Sequence, residues 1–229
     1  MRWIAKTSML SIRPYESSDR NRLMQIAADT AFFGAPIETY LEDRRIFQDS
    51  FYAYYTDFEP EHAWVATADD VVVGFLTGCF NTREQVKITR KVLYPKVIWK
   101  IIIGKYHLGK KFWTYYRKLN QEKRAGRIAF VNIQQYPAHL HINVDHLWRG
   151  YGIGFRLIQT YLNQLIDAGI PGVHLGTTSE NETACRLYTK IGFKLLEAST
   201  TQQWTELIDH PVETRIYGLI LPEDPIPDN

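Results

Sequence analysis

Three glycines at alternate positions, Gly150, Gly152 and Gly154, occur within the run Arg149-Gly150-Tyr151-Gly152-Ile153-Gly154. They constrain the fold because of what surrounds them. Upstream, residues 140–144 read as a β-strand. Downstream, apolar residues at 157, 158, 161, 162, 165 and 166 form a one-sided helical stripe. Glycine adopts dihedrals that a Cβ forbids and lets the backbone approach a ligand closely. The helix that follows opens with unpaired N–H groups at the positive end of its dipole. A strand, a glycine loop and a helix N-terminus together suit a phosphate-bearing ligand. The spacing excludes two common versions of such a loop. In Gly-x-Gly-x-x-Gly the third glycine would stand at Phe155 counting from Gly150, or at Leu157 counting from Gly152. A Walker loop requires Gly-Lys-Ser/Thr, whereas Gly154 is followed by Phe155 and Arg156.

The remaining elements follow from period and punctuation. Residues 9–13 alternate as a first strand. Ser17 or Ser18 can cap a helix running to about Thr30, with Leu23, Met24, Ile26 and Ala27 inward. Pro36 suits the first turn of a second helix, whose apolar side reads Ile37, Tyr40, Leu41, Phe47, Phe51, Tyr54 and Tyr55. Strands at 63–68 and 71–80 form a hairpin about Asp69-Asp70. After the glycine loop, Gly169 and Pro171 end the helix and 173–177 form a fifth strand. Strand, crossover helix and strand make strands four and five parallel neighbours. Ser179 and Glu182 have capping-box spacing for a last helix carrying Ala184, Leu187, Tyr188 and Ile191 on one face. Gly192 stops it, strands follow at 193–197 and 214–221, and an acidic, proline-rich tail closes the chain. The expectation is one α+β domain over 1–229, built on a mixed sheet.

Charge sets one segment apart. Residues 82–127 hold 14 Lys or Arg against two acids, although the whole 229-residue chain carries only +2. This segment reads as a basic helical insertion, with helices at 92–103 and 112–122, the first begun by Pro95. Its aromatics alternate with its lysines and arginines, which leaves several roles open. These are a lid, a dimer element, nucleic-acid binding through phosphates and stacking, and contact with an anionic membrane. Cys79 and Cys185 make no disulfide framework and stand in no metal-ligand spacing. With no secretory h-region and no membrane-length apolar run, the expected compartment is the cytoplasm.

The pattern Arg/Gln-x-x-Gly-x-Gly/Ala, together with Asn181-x-x-Ala184-x-x-Leu187-Tyr188-x-x-x-Gly192-Phe193, resembles the GCN5-related N-acetyltransferase (GNAT) superfamily. The element order agrees with that fold, and the insertion lies outside it. The resemblance implies a mostly antiparallel sheet in which parallel strands four and five splay apart to admit acyl-CoA. It implies that Ile142 and Val144 pair with the pantetheine arm. The loop residues Arg149, Gly150, Tyr151, Gly152, Ile153 and Gly154 would hold the pyrophosphate, and Asn181 would touch the pantetheine. The implied reaction is acetyl transfer from acetyl-CoA to the amino group of an acceptor by direct attack in a ternary complex, with no metal.

Such a transfer needs a proton donor for the leaving thiolate and an acceptor for the amine proton. The resemblance assigns the donor to Tyr188, whose alternative role is packing. A glutamate that many relatives carry on strand four falls at Ala138, so the base is open. His139 and His141 share one face of that strand and are the candidates, and Asp145 is a loop-shaping third. Tyr40, Tyr54 and Tyr55 fit either an acceptor site or the core. Arg149 fits either phosphate neutralisation or loop support. A homodimer is compatible with all of this, and an acyl-CoA-binding module without turnover is the competing reading.

Overall fold

The computed structural model describes residues 9–126 and 131–222. Residue 127 of the insertion and the tail beyond 222 lie outside the described residues. Asp69 and Asp70 both take left-handed φ, 48° and 64°. Left-handed φ at both turn positions matches the twist of a two-residue hairpin, and it joins β2 (Ala63–Ala68) to β3 (Val71–Cys79). Around that hairpin run β1 (Leu10–Pro14), β4 (Ala138–Val144), β5 (Gly172–Thr178), β6 (Lys194–Thr201) and β7 (Val212–Ile220). They form one sheet in the order β1-β2-β3-β4-β5-β7-β6. Only β4 and β5 are parallel, and they pair at two positions, Ala138 with Val173 and His139 with His174. Beyond these, β4 stays on β3 as far as Val144, and β5 stays on β7 as far as Thr178. Each strand follows its antiparallel partner, so the two halves of the sheet diverge and open a wedge.

One face of the sheet is covered by α7 (Ile153–Asp167) and α8 (Glu182–Ile191). The α7 stripe Leu157, Ile158, Tyr161, Leu162 and Leu165 is buried against Val73, Leu76, Leu140 and Val173. Each of the aliphatic side chains in it contributes about 1.5–3 kcal/mol. The tyrosine is also a fixture: its hydroxyl donates to the Cys79 and His139 carbonyls at 3.1 and 3.2 Å. A Cβ on Gly78 would meet its ring within 3 Å. The opposite face is covered by α1 (Arg20–Asp29), whose Leu23, Met24, Ile26 and Ala27 pack with Tyr52, Tyr54, Tyr55 and Phe75.

Three expectations are corrected. The second helix does not run from Pro36 to Tyr55. Ile37–Thr39 is a single 3-10 turn, and the chain restarts at α2 (Arg44–Phe47), where the Asp43 carboxylate accepts the Arg45 N–H. A π-turn, Gln48–Tyr52, then leads into α3 (Ala53–Asp57) and leaves Phe51 exposed. The insertion is helical from its first residue, Thr82, and not only from 92 as its apolar periodicity suggests. Asn81 caps α4 (Thr82–Ile88), a π-turn follows at Thr89–Leu93, and α5 (Tyr94–Ile102) continues the path. Pro95 therefore lies inside a helical run. The wide turn just before it accommodates a residue that cannot donate a backbone hydrogen bond. The capping box at 179 and 182 does not form. Asn181 is the N-cap residue of α8, and the Ser179 hydroxyl accepts the Glu213 N–H instead.

The last insertion helix, α6 (Lys110–Arg124), is tied to two loops. The Glu42 carboxylate accepts the Lys111 and Phe112 N–H groups at 2.7 and 3.0 Å, capping the helix. At the 202–211 loop, Lys118 reaches Thr205 at 3.0 Å and Arg117 reaches Glu206 at 3.2 Å. Trp204 of that loop packs edge-on against Phe32, Phe33 and Tyr40.

Candidate active site

Glycine is required in the loop for two different reasons. Gly150 and Gly152 take φ of 87° and 75°, and a Cβ on either would meet nothing within 4 Å. Their need is conformational, and the space above them is open. Gly154 lies within α7, where a Cβ would come 3.2 Å from Leu187 Cδ2, so it permits close packing of α7 on α8. The first bond of α7 runs from Arg156 N to Gly152 O. The preceding amides, Ile153 to Phe155, have no partner within the helix and face outward from its positive end.

The wedge and the loop border one cleft of about 820 Å³. Ile142 and Val144 line it from β4, with Arg149, Gly150, Gly152, Ile153 and Gly154 from the loop, and Asn181, Leu187 and Tyr188 from α8. Two helix N-termini thus meet at the cleft. Tyr151 does not line it; this residue is 53% exposed and its ring leans on Trp148. The Arg149 guanidinium spans the cleft edge, donating to the Val144 carbonyl at 3.3 Å and the Gly34 carbonyl at 3.2 Å. A Cβ on Gly34 would come within 2.8 Å of that guanidinium, so the approach of the two loops depends on a glycine there. Asp145 shapes the loop: it accepts the Leu147 N–H at 3.0 Å and pairs with Arg22 at 2.6 Å.

Tyr188 is buried on the inner side of α8, its ring against Phe193 and Tyr217. Its hydroxyl has no hydrogen-bond partner among the described residues. Burial, with smaller contributions from Cys185 and Tyr217, raises its pKa well above the usual phenol value, so the proton is retained.

His139 and His141 lie on the other face of β4 and do not line that cleft. They converge on Tyr55, whose hydroxyl is 2.6 Å from His139 Nε2 and 3.0 Å from His141 Nε2. Hydrogen-bond accounting assigns the tautomers. The Thr82 hydroxyl donates its single proton to the Pro137 carbonyl at 2.7 Å, so it accepts from His139 Nδ1–H at 2.8 Å. His139 Nε2 is then bare and accepts the Tyr55 proton. The Tyr55 oxygen in turn accepts from His141 Nε2–H. His141 Nδ1 is left with its lone pair. Burial lowers the pKa of both histidines, His139 well below its ordinary value and His141 to about 3, helped by the neighbouring His174. Both are neutral at physiological pH.

Tyr54 and Tyr55 are core residues, and Tyr40 packs among aromatics at the insertion. Four further participants were not singled out from the sequence. His174 stands opposite His139 and its Nδ1–H donates to the Tyr136 carbonyl at 2.9 Å. Asn143 lines the cleft, accepting from Tyr52 at 2.7 Å and donating to Thr30 at 2.6 Å. Period-2 patterning could have marked Asn143, a polar residue on the histidine face of the strand. Tyr52, Thr30 and His174 become meaningful only once the sheet is assembled.

A family model described as the Acetyltransferase (GNAT) family matches residues 102–193. That stretch contains β4, the glycine loop, α7, β5 and α8, the elements that build the cleft. Residues 102–193 of this chain match the GNAT family, and the sheet with its parallel β4–β5 pair has the GNAT fold. The crystal structure of SsHAT is 27% identical, with a TM-score of 0.70, and the match covers 92% of this chain and 98% of that one. Human N-acetyltransferase 8B is 35% identical over 117 residues, covering 48% of this chain and half of that protein. Mycothiol acetyltransferase of Nocardiopsis dassonvillei is 44% identical over 54 residues, 24% of this chain and 16% of that enzyme. The chain thus spans half or less of the curated relatives' length. The yncA structure from Salmonella typhimurium, solved with its cofactor acetyl-CoA, has a TM-score of 0.56 at 13% identity over 96% of this chain and 98% of that one, a likeness of fold. The match to the family model begins inside the insertion, at residue 102.

Proposed function

We propose that this chain transfers the acetyl group of acetyl-CoA to an amino group of an acceptor, with both substrates bound together. The observation that carries the reading is Tyr188: an unpartnered hydroxyl that keeps its proton, in the same cleft as the open glycine loop and the unpaired edge of β4. The cleft residues fit the donor substrate. Gly150 and Gly152 leave their amide side open, the α7 amides and dipole favour phosphate, and Ile142 and Val144 offer a strand edge with no partner strand towards β5. Arg149 can add charge there while holding residues 33–34 in place.

The thioester supplies an activated acyl carbon; the acceptor nitrogen bonds to it, the C–S bond breaks and CoA leaves as the thiol. Tyr188 gives its proton to the departing sulfur and regains one from solvent. An unperturbed phenol, with a pKa of about 10, holds its proton more tightly than a thiol at about 8.5, and burial widens that gap. The proton can still pass as the sulfur gains negative charge, provided that water resupplies the phenol. His141 does not line the cleft, so it is assigned as the acceptor of the amine proton by relay through water, at Nδ1, the nitrogen left bare by the Tyr55 chain. A neutral, weakly basic imidazole cannot deprotonate a free ammonium efficiently. The amine therefore binds in its neutral form, and His141 takes the proton only as the new C–N bond makes that proton acidic. His139 is assigned a positioning role, because both its ring nitrogens are occupied by Thr82 and Tyr55. Ala138, fully buried at the start of β4, can supply no carboxylate.

Incubation with acetyl-CoA and a panel of small amines, peptides and amino sugars, with free thiol measured, tests the reading. Amine-dependent thiol release above hydrolysis is expected for at least one class. Tight CoA binding with no release for any acceptor would favour a binding module instead.

A further inference from the structure

Helix α5 has two apolar faces, and only one is covered. Leu93, just before it, and Val97 are buried, and Ile101 packs beside Val97 against Ile37, Tyr40 and Tyr106. Lys100 completes that inner side with a 2.6 Å ion pair to Asp49. On the outer side, two rows at i, i+4 spacing run side by side: Tyr94, Ile98, Ile102, and Pro95, Trp99, Ile103. Tyr94, Ile98, Trp99, Ile102 and Ile103 are 47, 55, 61, 69 and 45% exposed. Nothing among the described residues covers them. A surface helix normally turns a polar face to water, and five adjacent large apolar side chains on one short helix form the kind of patch that marks an interaction site.

Charge selects the occupant. Between Glu84 and Glu122 the chain holds ten Lys or Arg and no acid. Arg90, Lys91, Lys96 and Lys105, which flank the two rows, have no carboxylate partner among the described residues and are exposed. A second copy docked through the same face would bring these cations against their own equivalents, with no acid there to offset them. Nucleic acid would be served by the cations and by Trp99 and Tyr94, but Ile98, Ile102 and Ile103 offer bases no stacking surface. Aliphatic side chains flanked by Trp and Tyr, with lysines whose stems can extend past them, match the boundary between acyl chains and headgroups. No helix of the described residues is long and apolar enough to cross a membrane, and α5 would lie in the interface plane.

We infer that the outer face of α5 docks on an anionic lipid surface, with Ile98, Trp99, Ile102 and Ile103 entering the headgroup boundary and Arg90, Lys91, Lys96 and Lys105 engaging the lipid charge. The inference is independent of the assigned chemistry. The intact chain is sedimented with vesicles of phosphatidylcholine alone or with about 30 mol % phosphatidylglycerol, in about 0.1 M and about 0.5 M salt. Binding to the anionic vesicles that weakens with salt is expected. The double substitution Trp99→Ser with Ile102→Ser should lower it roughly tenfold or more without changing the melting temperature, since both side chains are exposed. Lys91→Glu with Lys96→Glu should lower it as well. Equal binding to both vesicle types, or undiminished binding by the Trp99/Ile102 variant, overturns the proposal. It also fails if wild type binds no vesicles but forms a dimer that the same substitutions dissociate, or prefers a DNA or RNA oligonucleotide over anionic vesicles.

Discussion

Replacing Tyr188 by Phe removes one oxygen and leaves the ring contacts with Phe193 and Tyr217 intact. The hydroxyl has no hydrogen-bond partner among the described residues, so no protein group is orphaned by its loss. The expected stability change is within about 0.5 kcal/mol, a shift in melting temperature of no more than about 2 °C for a chain of this size. Catalysis should respond very differently. A general acid contributes about 10²–10⁴-fold, and solvent can protonate the leaving sulfur in its place, so kcat should fall by about 10²–10³. That corresponds to about 2.7–4 kcal/mol at 1.36 kcal/mol per factor of ten. The KM for acetyl-CoA should stay within about twofold, because the amide-lined loop and the strand edge are untouched. The pH profile supplies a second readout. Activity through this acid is lost when the phenol deprotonates, and burial moves that loss upward. The wild-type kcat should therefore show no alkaline decline from this group up to about pH 10, the ordinary phenol value. Steady-state kinetics and a thermal melt on the same preparation decide the matter. An unchanged kcat, or a fall in kcat that accompanies a large drop in melting temperature, would refute the acid role and return Tyr188 to the core.

Gly152→Val forces a β-branched residue to φ near 75°, which should cost about 1–3 kcal/mol and raise the KM for acetyl-CoA roughly tenfold or more; a melt and saturation kinetics report both. His141→Ala should lower kcat by about 10²-fold, and Tyr55→Phe, which removes the group that sets the His141 tautomer, should lower it while destabilising the fold by about 1–3 kcal/mol through the bared His139 nitrogen. If activity survives in both variants, the proton leaves by another route. Folding stability should fall in acid. His139 is held neutral in the fold, its pKa well below the usual 6.5. Above pH 6.5 neither the folded nor the unfolded state protonates it. Below that value only the unfolded chain takes the proton, so each pH unit costs about 1.4 kcal/mol until the folded pKa is reached. Denaturant midpoints at pH 7 and pH 5.5 should separate by more in wild type than in His139→Gln.

Local features could be read from the chain because their causes are local. The Asp69-Asp70 turn, the α7 stripe and the glycine loop each follow from neighbours within a turn or a strand. Expectations failed where a distant or competing group decides the backbone. Asp43 restarts a helix that hydrophobic spacing alone would run through. Asn81 starts α4 upstream of the apolar periodicity. The π-turn before Pro95 relieves a defect that periodicity reads as a helix start.

The amino-acid sequence by itself determined that a glycine-bearing loop links a strand to an amphipathic helix, and that Tyr188 lies on the inner face of the last helix. It also determined that the basic charge is gathered into one segment. Those properties reside in residue type and spacing. Tertiary structure decided the width of the wedge, because β4 and β5 each keep faith with a different antiparallel neighbour. It decided which histidine carries a bare nitrogen, since that depends on Thr82, Pro137, Tyr55 and His139 meeting across separations of up to 86 residues. And it decided which side of α5 stays in water, because a helix apolar on both faces does not declare in its sequence which face the core will take.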